Sequence, residues 1–311
     1  MVFFALSRIL RALITVVLIV TLAFVILRMT GDPSIIILGP EAPPLAYEAF
    51  RRNWGLDQPL IIQYFKYFWA ILQGDLGRSM RDGQDALGVV MDRVPLTLAL
   101  TLPALAMNLI LGLSAGIFAA LNRNSWIDRA IMTISVIGFT VPSFVMGLVL
   151  ALVFAVKLKV LPSGGSETWL HAVLPVVTMG MIGAAVIARF TRSAMLEVLG
   201  QPYIRTASGK GLSWPAVVLR HALPNAAIPT LTIIGFMVGS LVAGAVVVES
   251  IFSWPGVGRL LVQAVASRDL AVVQAILLLI GFTMVGANLI VDLAYGWVDP
   301  RLRAERSLPI K

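Results

Sequence analysis

The densest set of groups able to do chemistry lies at Tyr203–Asn225, YIRTASGKGLSWPAVVLRHALPN. It carries Arg205, Lys210, Arg220 and His221 but no acid, and long apolar runs flank it. Phosphate binding is the first chemistry to test, because Ser208–Ser213 (SGKGLS) looks superficially like a nucleotide loop. The loop that cradles phosphates needs GxxxxGK[ST] after a strand. Here Ile204 stands at the first Gly and Gly211 at the Ser/Thr position. The pattern fails twice, so no ATP site is expected in this chain. Metal chemistry has no better footing: His171 and His221 are far apart, there is no cysteine, and there is no HExxH. No Ser-His-Asp or paired-carboxylate arrangement is apparent either. What remains is a docking element for a cytoplasmic partner.

The elements that hold this segment are membrane spans. Of 311 residues, 59% are hydrophobic and 13% charged, against about 45–50% and about 25% in a soluble domain. Several continuous apolar runs approach the ~20 residues that cross a bilayer as a helix. The runs are continuous, which argues against a barrel, whose strands alternate. The class is therefore an all-α polytopic membrane protein. Residues 1–29 are expected to be an uncleaved first span, residues 30–94 an extracytoplasmic segment, and 95–297 a five-helix core. That core has spans at Pro95–Leu121, Ala130–Val156, Ala172–Phe190, Ala226–Val248 and Ala271–Leu293. Pro142 falls inside Ala130–Val156, the third span of the chain, as a proline tolerated within a span. Residues 298–311 form a tail.

Lys and Arg set the orientation. With both termini in the cytoplasm and six spans, the cytoplasmic segments hold thirteen bases and five acids, so the whole formal excess of +8 lies on that side. Topology thus accounts for the charge without nucleic acid. On this threading the longest cytoplasmic loop is 192–224, and it contains the basic segment. Ser213 is a plausible N-cap for a helix that opens with Trp214-Pro215. Leu212 and Trp214 are apolar residues in a solvent-facing loop. Two readings stand side by side: insertion into a groove on another protein, or packing of Trp214 back onto the membrane ends of the helices.

Two other stretches are candidates. Gln63–Leu72 is aromatic-rich and amphipathic, as in a helix lying at the membrane interface. Glu249–Leu261, ESIFSWPGVGRLL, follows the fifth span on the outer side. Glu249, Phe252, Trp254, Pro255, Gly256 and Gly258 make it a candidate outer gate or cap. Ionisable residues inside spans are usually functional, but Arg189, Arg192 and Asp292 sit near cytoplasmic ends, where snorkelling explains them. Asn108, Ser114, Thr140, Ser143 and Asn288 are mild polar candidates for a pathway or for interhelical hydrogen bonds.

The basic segment resembles the EAA loop of ATP-binding-cassette importer permeases, EAA-x3-G-x9-I-x-L-P. Aligned on Gly211, the chain has Arg205-Thr206-Ala207 before it and His221-Ala222-Leu223-Pro224 after it. Arg205 replaces the acid and His221 the Ile, so a salt bridge assigned to that acid does not carry over. The form RTA-x3-G with HALPN is similar to the dipeptide, oligopeptide and nickel branch. Gly31–Pro33, Gln63–Ser79, Glu249–Leu261 and Val298–Arg303 resemble that branch in the same order.

The resemblance implies a type I importer permease in a bacterial inner membrane, with no catalytic residues of its own. Its implied partners are a second permease subunit, two cytoplasmic ATPase subunits that hold ATP and Mg, an extracytoplasmic solute-binding protein, and the lipid bilayer. Arg205, Thr206, Ala207, Gly211, Leu212, Trp214, His221, Leu223 and Pro224 would form the ATPase-coupling loop. The branch points to di- or oligopeptides as solutes, with nickel, glutathione or another small solute as the alternative. A stand-alone secondary carrier or channel predicts inverted repeats and midplane charge, and none is evident.

Overall fold

The computed structural model describes the backbone of residues 2–29 and 31–298. Residues 299–311 of the tail, including most of Val298–Arg303, therefore lie outside the described residues. In chain order the helices are α1 (Val2–Met29), α2 (Pro33–Leu38), α3 (Pro44–Asn53), α4 (Leu60–Leu72), α5 (Ala86–Met91), α6 (Val94–Leu121), α7 (Trp126–Thr140), α8 (Ser143–Leu150) and α9 (Leu170–Leu199). They continue as α10 (Pro202–Gly209), α11 (Trp214–Val217), α12 (Leu223–Gly239), α13 (Val246–Ile251), α14 (Val257–Ala266) and α15 (Leu270–Val298). Among the described residues, four helical stretches are long and apolar enough to cross a bilayer: Ala86–Leu121, Leu170–Leu199, Trp214–Gly239 and Leu270–Ile290. The pair α7 and α8, with its extension to Lys157, counts as a fifth if it is one broken span.

The third, fourth and fifth spans differ most from the sequence expectation, and proline chemistry accounts for two of them. The expected third span, Ala130–Val156, is not continuous: α7 and α8 are bent by 102° at Val141-Pro142. Pro142 has no N–H, and it pushes Val141 out of the helical region, to φ −74° and ψ 121°. The fifth span starts at Trp214, not Ala226, because a widened π-helical turn at Val218–Ala222 joins α11 to α12. Such a turn stands directly before Pro224, whose ring would otherwise meet the carbonyl four residues back. That span also stops at Gly239, short of Val248. The fourth span runs on to Leu199, so Arg192 lies on α9 and not at the head of a loop.

The chain divides into two compact units. One comprises Met1–Leu98 with Val242–Val285. Its core joins Ala86 and Val90 of α5, Val257 and Ala264 of α14, and the first two turns of α15. The GRS at Gly77–Ser79 is fastened to the start of α15, since Ser79 Oγ donates to Asp269 Oδ2 and Met80 N donates to Asp269 Oδ1 at 3.2 Å. The amphipathic α4 packs Tyr64 and Tyr67 against Phe24 of α1 and leaves Ile61, Phe65, Trp69 and Leu72 exposed along one face.

The other unit comprises Ala99–Leu241 and the described residues from Gly286 on. Within it α9 is central and packs on α7, α8 and α12. Gly112 and Gly116 of α6 let α9 approach so closely that a Cβ at Gly116 would stand 2.5 Å from the Ala188 carbonyl. Small residues at such positions are what bring spans together without a hydrophobic driving force. At one end of the α7–α9 pair, Arg192 donates to both oxygens of buried Asp128, at 2.6 and 2.7 Å. The two-pronged pair is a charge-assisted contact of the stronger kind.

Candidate coupling segment and outer cap

Between α9 and α12 the chain makes two short helices, α10 and α11, with a turn between them. Pro202 opens α10 at a position where its missing N–H costs nothing. Two residues of α10, Ile204 and Ala207, face inward onto Met195 of α9 and onto Val217, Val218, Ala222 and Ala226. Burying these side chains at about 25 cal/mol per Å² is what holds so short a helix, since an isolated one of eight residues is not stable. Thr206 and Ser208 turn their hydroxyls back onto the carbonyls of Pro202 and Ile204. Gly211 then reverses the chain with φ +81°, a left-handed conformation that only glycine adopts without strain. Ser213 stands at the N-cap of α11, as its type suggests, but its side chain makes no capping bond.

This geometry divides the nine expected coupling residues into two sets. Arg205, Thr206, Gly211, Leu212, Trp214 and Pro224 are exposed. Ala207 is buried, and Leu223 packs against the same cluster, while His221 is half-buried. The inner residues hold the segment to its unit and the outer ones are free to meet something else. Arg205 has no ion-pair partner among the described residues. Leu212 keeps 36% of its surface and Trp214 52%, so Trp214 is not packed away within this chain. Sequence reading missed the inner anchors Ile204, Met195 and Val217. Their signal was a three-residue apolar spacing, Ile204 to Ala207, inside a segment read for its charges.

The second candidate region lies in the other unit. Glu249 is fully buried and its carboxylate is enclosed by donors. Thr97 Oγ1 donates to Oε1 at 2.7 Å, and Arg259 N donates to Oε2 at 3.1 Å. Thr97 in turn accepts from Val257 N at 2.8 Å. Burial pushes the Glu249 pKa up, against the pull of these hydrogen bonds and one from the Gly258 backbone. The backbone donors belong to the first turn of α14, where a carboxylate is also favoured by the helix dipole. Trp254 Nε1 donates to the Leu96 carbonyl at 2.8 Å and an Arg93 guanidinium nitrogen to the Pro255 carbonyl at 3.2 Å. Phe252 and Trp254 are buried. All six expected residues, Glu249, Phe252, Trp254, Pro255, Gly256 and Gly258, thus meet in one packed corner. Its unforeseen member is Thr97, which lies 152 residues from Glu249 in sequence.

Comparison with known proteins gives the family of the chain. The family described as binding-protein-dependent transport system inner membrane component matches residues 112–304, and its N-terminal companion matches residues 1–101. The glutathione transport system permease protein GsiC of Escherichia coli K12 is 42% identical over 301 residues, 96% of this chain and 98% of that protein. GsiC of Shigella flexneri serotype 5b is equally similar, at 42% over the same coverage. Among solved structures, the MetNI methionine ABC transporter in its inward-facing form matches with a TM-score of 0.52 and 21% identity, over 66% of this chain and 95% of that one. That likeness bears on fold alone. The chain belongs to the family of binding-protein-dependent inner-membrane transport components, and is a multi-pass permease subunit of an ATP-binding-cassette importer of the bacterial inner membrane.

Proposed function

We propose that this permease passes small peptides, delivered by an extracytoplasmic binding protein, into the cytoplasm. A second permease subunit completes the pathway, and two cytoplasmic ATPase subunits hold ATP and Mg. The observation that carries the solute class is 42% identity over 96% of the chain to a glutathione permease, because glutathione is itself a modified tripeptide. Di- and oligopeptides and glutathione share an ammonium, amide groups and a terminal carboxylate. In this reading the exposed set around Arg205, Thr206, Gly211, Leu212 and Trp214 meets a groove on one ATPase, and the buried corner around Glu249 caps the outer side.

The test is to purify the assembled transporter with its binding protein and identify the bound solute by mass spectrometry. A peptide or glutathione is the expected result. Nickel with no peptide would overturn the solute class and leave the permease assignment standing.

A further inference from the structure

We infer that Arg189 lines the translocation pathway and binds the carboxylate of the passing solute, at the level where the third span breaks. Arg189 is exposed on α9, one turn before Arg192. Arg192 is neutralised by Asp128; Arg189 has no acidic partner among the described residues. Its guanidinium carbon lies 4.7 Å from the centre of the Phe139 ring and 5.6 Å from that of Phe190.

The guanidinium stands over Phe139 of α7, beside the chain break, and not at the Asp128–Arg192 pair. Helical side chains tilt toward the helix N-terminus, which for α9 is the outer end. Phe139 lies eleven residues from Asp128, roughly 16 Å further along α7 than the basic boundary marked by the Asp128–Arg192 pair. The charge is therefore carried into the span, onto an exposed face. An arginine so placed does not face lipid; it faces protein or water.

The chain break is an independent sign that protein or water, and not lipid, lies at that level. Val141 N donates to the Ile137 carbonyl at 3.0 Å, and Pro142 has no N–H to continue the ladder. The next carbonyls of α7 lose their helical partners. Irregular backbone at membrane depth persists only beside protein or a water-filled cavity. Thr140 is exposed and Ser143 half-exposed at the same break. A guanidinium there, with one face on an aromatic ring and its edge free, offers paired donors to a carboxylate. The carboxylate is that of the peptide or glutathione proposed above, and this part of the inference rests on that reading.

The test uses the assembled transporter in proteoliposomes and needs two measurements. The chain has no cysteine, so Arg189→Cys introduces its only thiol. We expect a membrane-impermeant, anionic methanethiosulfonate reagent to modify it. An unreactive thiol would place residue 189 against lipid or the second permease and overturn the inference. In the second measurement, Arg189→Gln is expected to lower uptake of trialanine about tenfold, with less than about a twofold loss for trialanine amide, each relative to the unaltered transporter. Arg189→Lys should retain most of the trialanine uptake, and ATP hydrolysis stimulated by the binding protein should persist in all three variants. Equal losses for acid and amide, or no loss, would overturn carboxylate binding. If the unaltered transporter moves neither trialanine nor glutathione, the solute class proposed above is wrong, while thiol modification still decides where residue 189 lies.

Discussion

Trp214→Ala is expected to reduce ATP-dependent solute uptake by at least about tenfold while the chain itself stays folded. Tryptophan residues at interface centres commonly contribute 2 kcal/mol or more, roughly a thirtyfold change in affinity. Trp214 keeps 52% of its surface in this chain, so its removal opens no large cavity within the unit. The loss should therefore appear in retention of the ATPase subunits on purification and in uptake, and not in thermal stability. Gly211→Val should act in the same direction for another reason. A β-branched residue at φ +81° is strained, and the turn that presents Leu212 and Trp214 would re-form elsewhere. Ala207 is a useful contrast. It is buried against α9 and α12, so a large residue there should loosen α10 and lower stability together with coupling.

The second large effect is expected at Gly258. A Cβ there would stand 2.8 Å from the backbone nitrogen of Val246 and closer still to its Cα. Backbone cannot yield as a flexible side chain does, so Gly258→Ala should cost more than the usual 1–3 kcal/mol of overpacking, a fall of at least ~5 °C in apparent Tm. Gly256→Ala should be nearly as severe, because its Cβ would stand 2.5 Å from Oε2 of the buried Glu249 and closer still to Oε1. Gly244→Ala is the control: its Cβ would meet nothing within 4 Å, and stability should hardly change. Equal melting of all three variants in detergent would contradict the packed corner around Glu249.

The helical, multi-pass class was legible in the sequence because membrane helices are marked by unbroken apolar runs. The exposure of Gly211, Leu212 and Trp214 was legible from their loop position. The division of the expected coupling residues into inner and outer sets was not legible. Which of Thr206 and Ala207 faces outward depends on the register of an eight-residue helix against Met195 and Val217, and periodicity does not fix register in so short an element. The break at Pro142 was masked by the uniform apolarity on both sides of it, which hides a change of direction. Thr97 as the partner of Glu249 could not be read at all, because a contact across 152 residues leaves no local pattern. The contact of Arg189 with Phe139 was hidden likewise, because it joins two helices fifty residues apart.

The central claim is that Leu212 and Trp214 are where this chain meets the ATPase. It is tested most directly by Leu212→Cys in the assembled transporter, with a short thiol-to-amine crosslinker and identification of the adduct by mass spectrometry. The structure leaves this position exposed beside a turn, and the account predicts an adduct with an ATPase subunit whose yield changes when ATP is added. Adducts only with lipid or with this chain's own helices, in a complex that still hydrolyses ATP and imports solute, would contradict it.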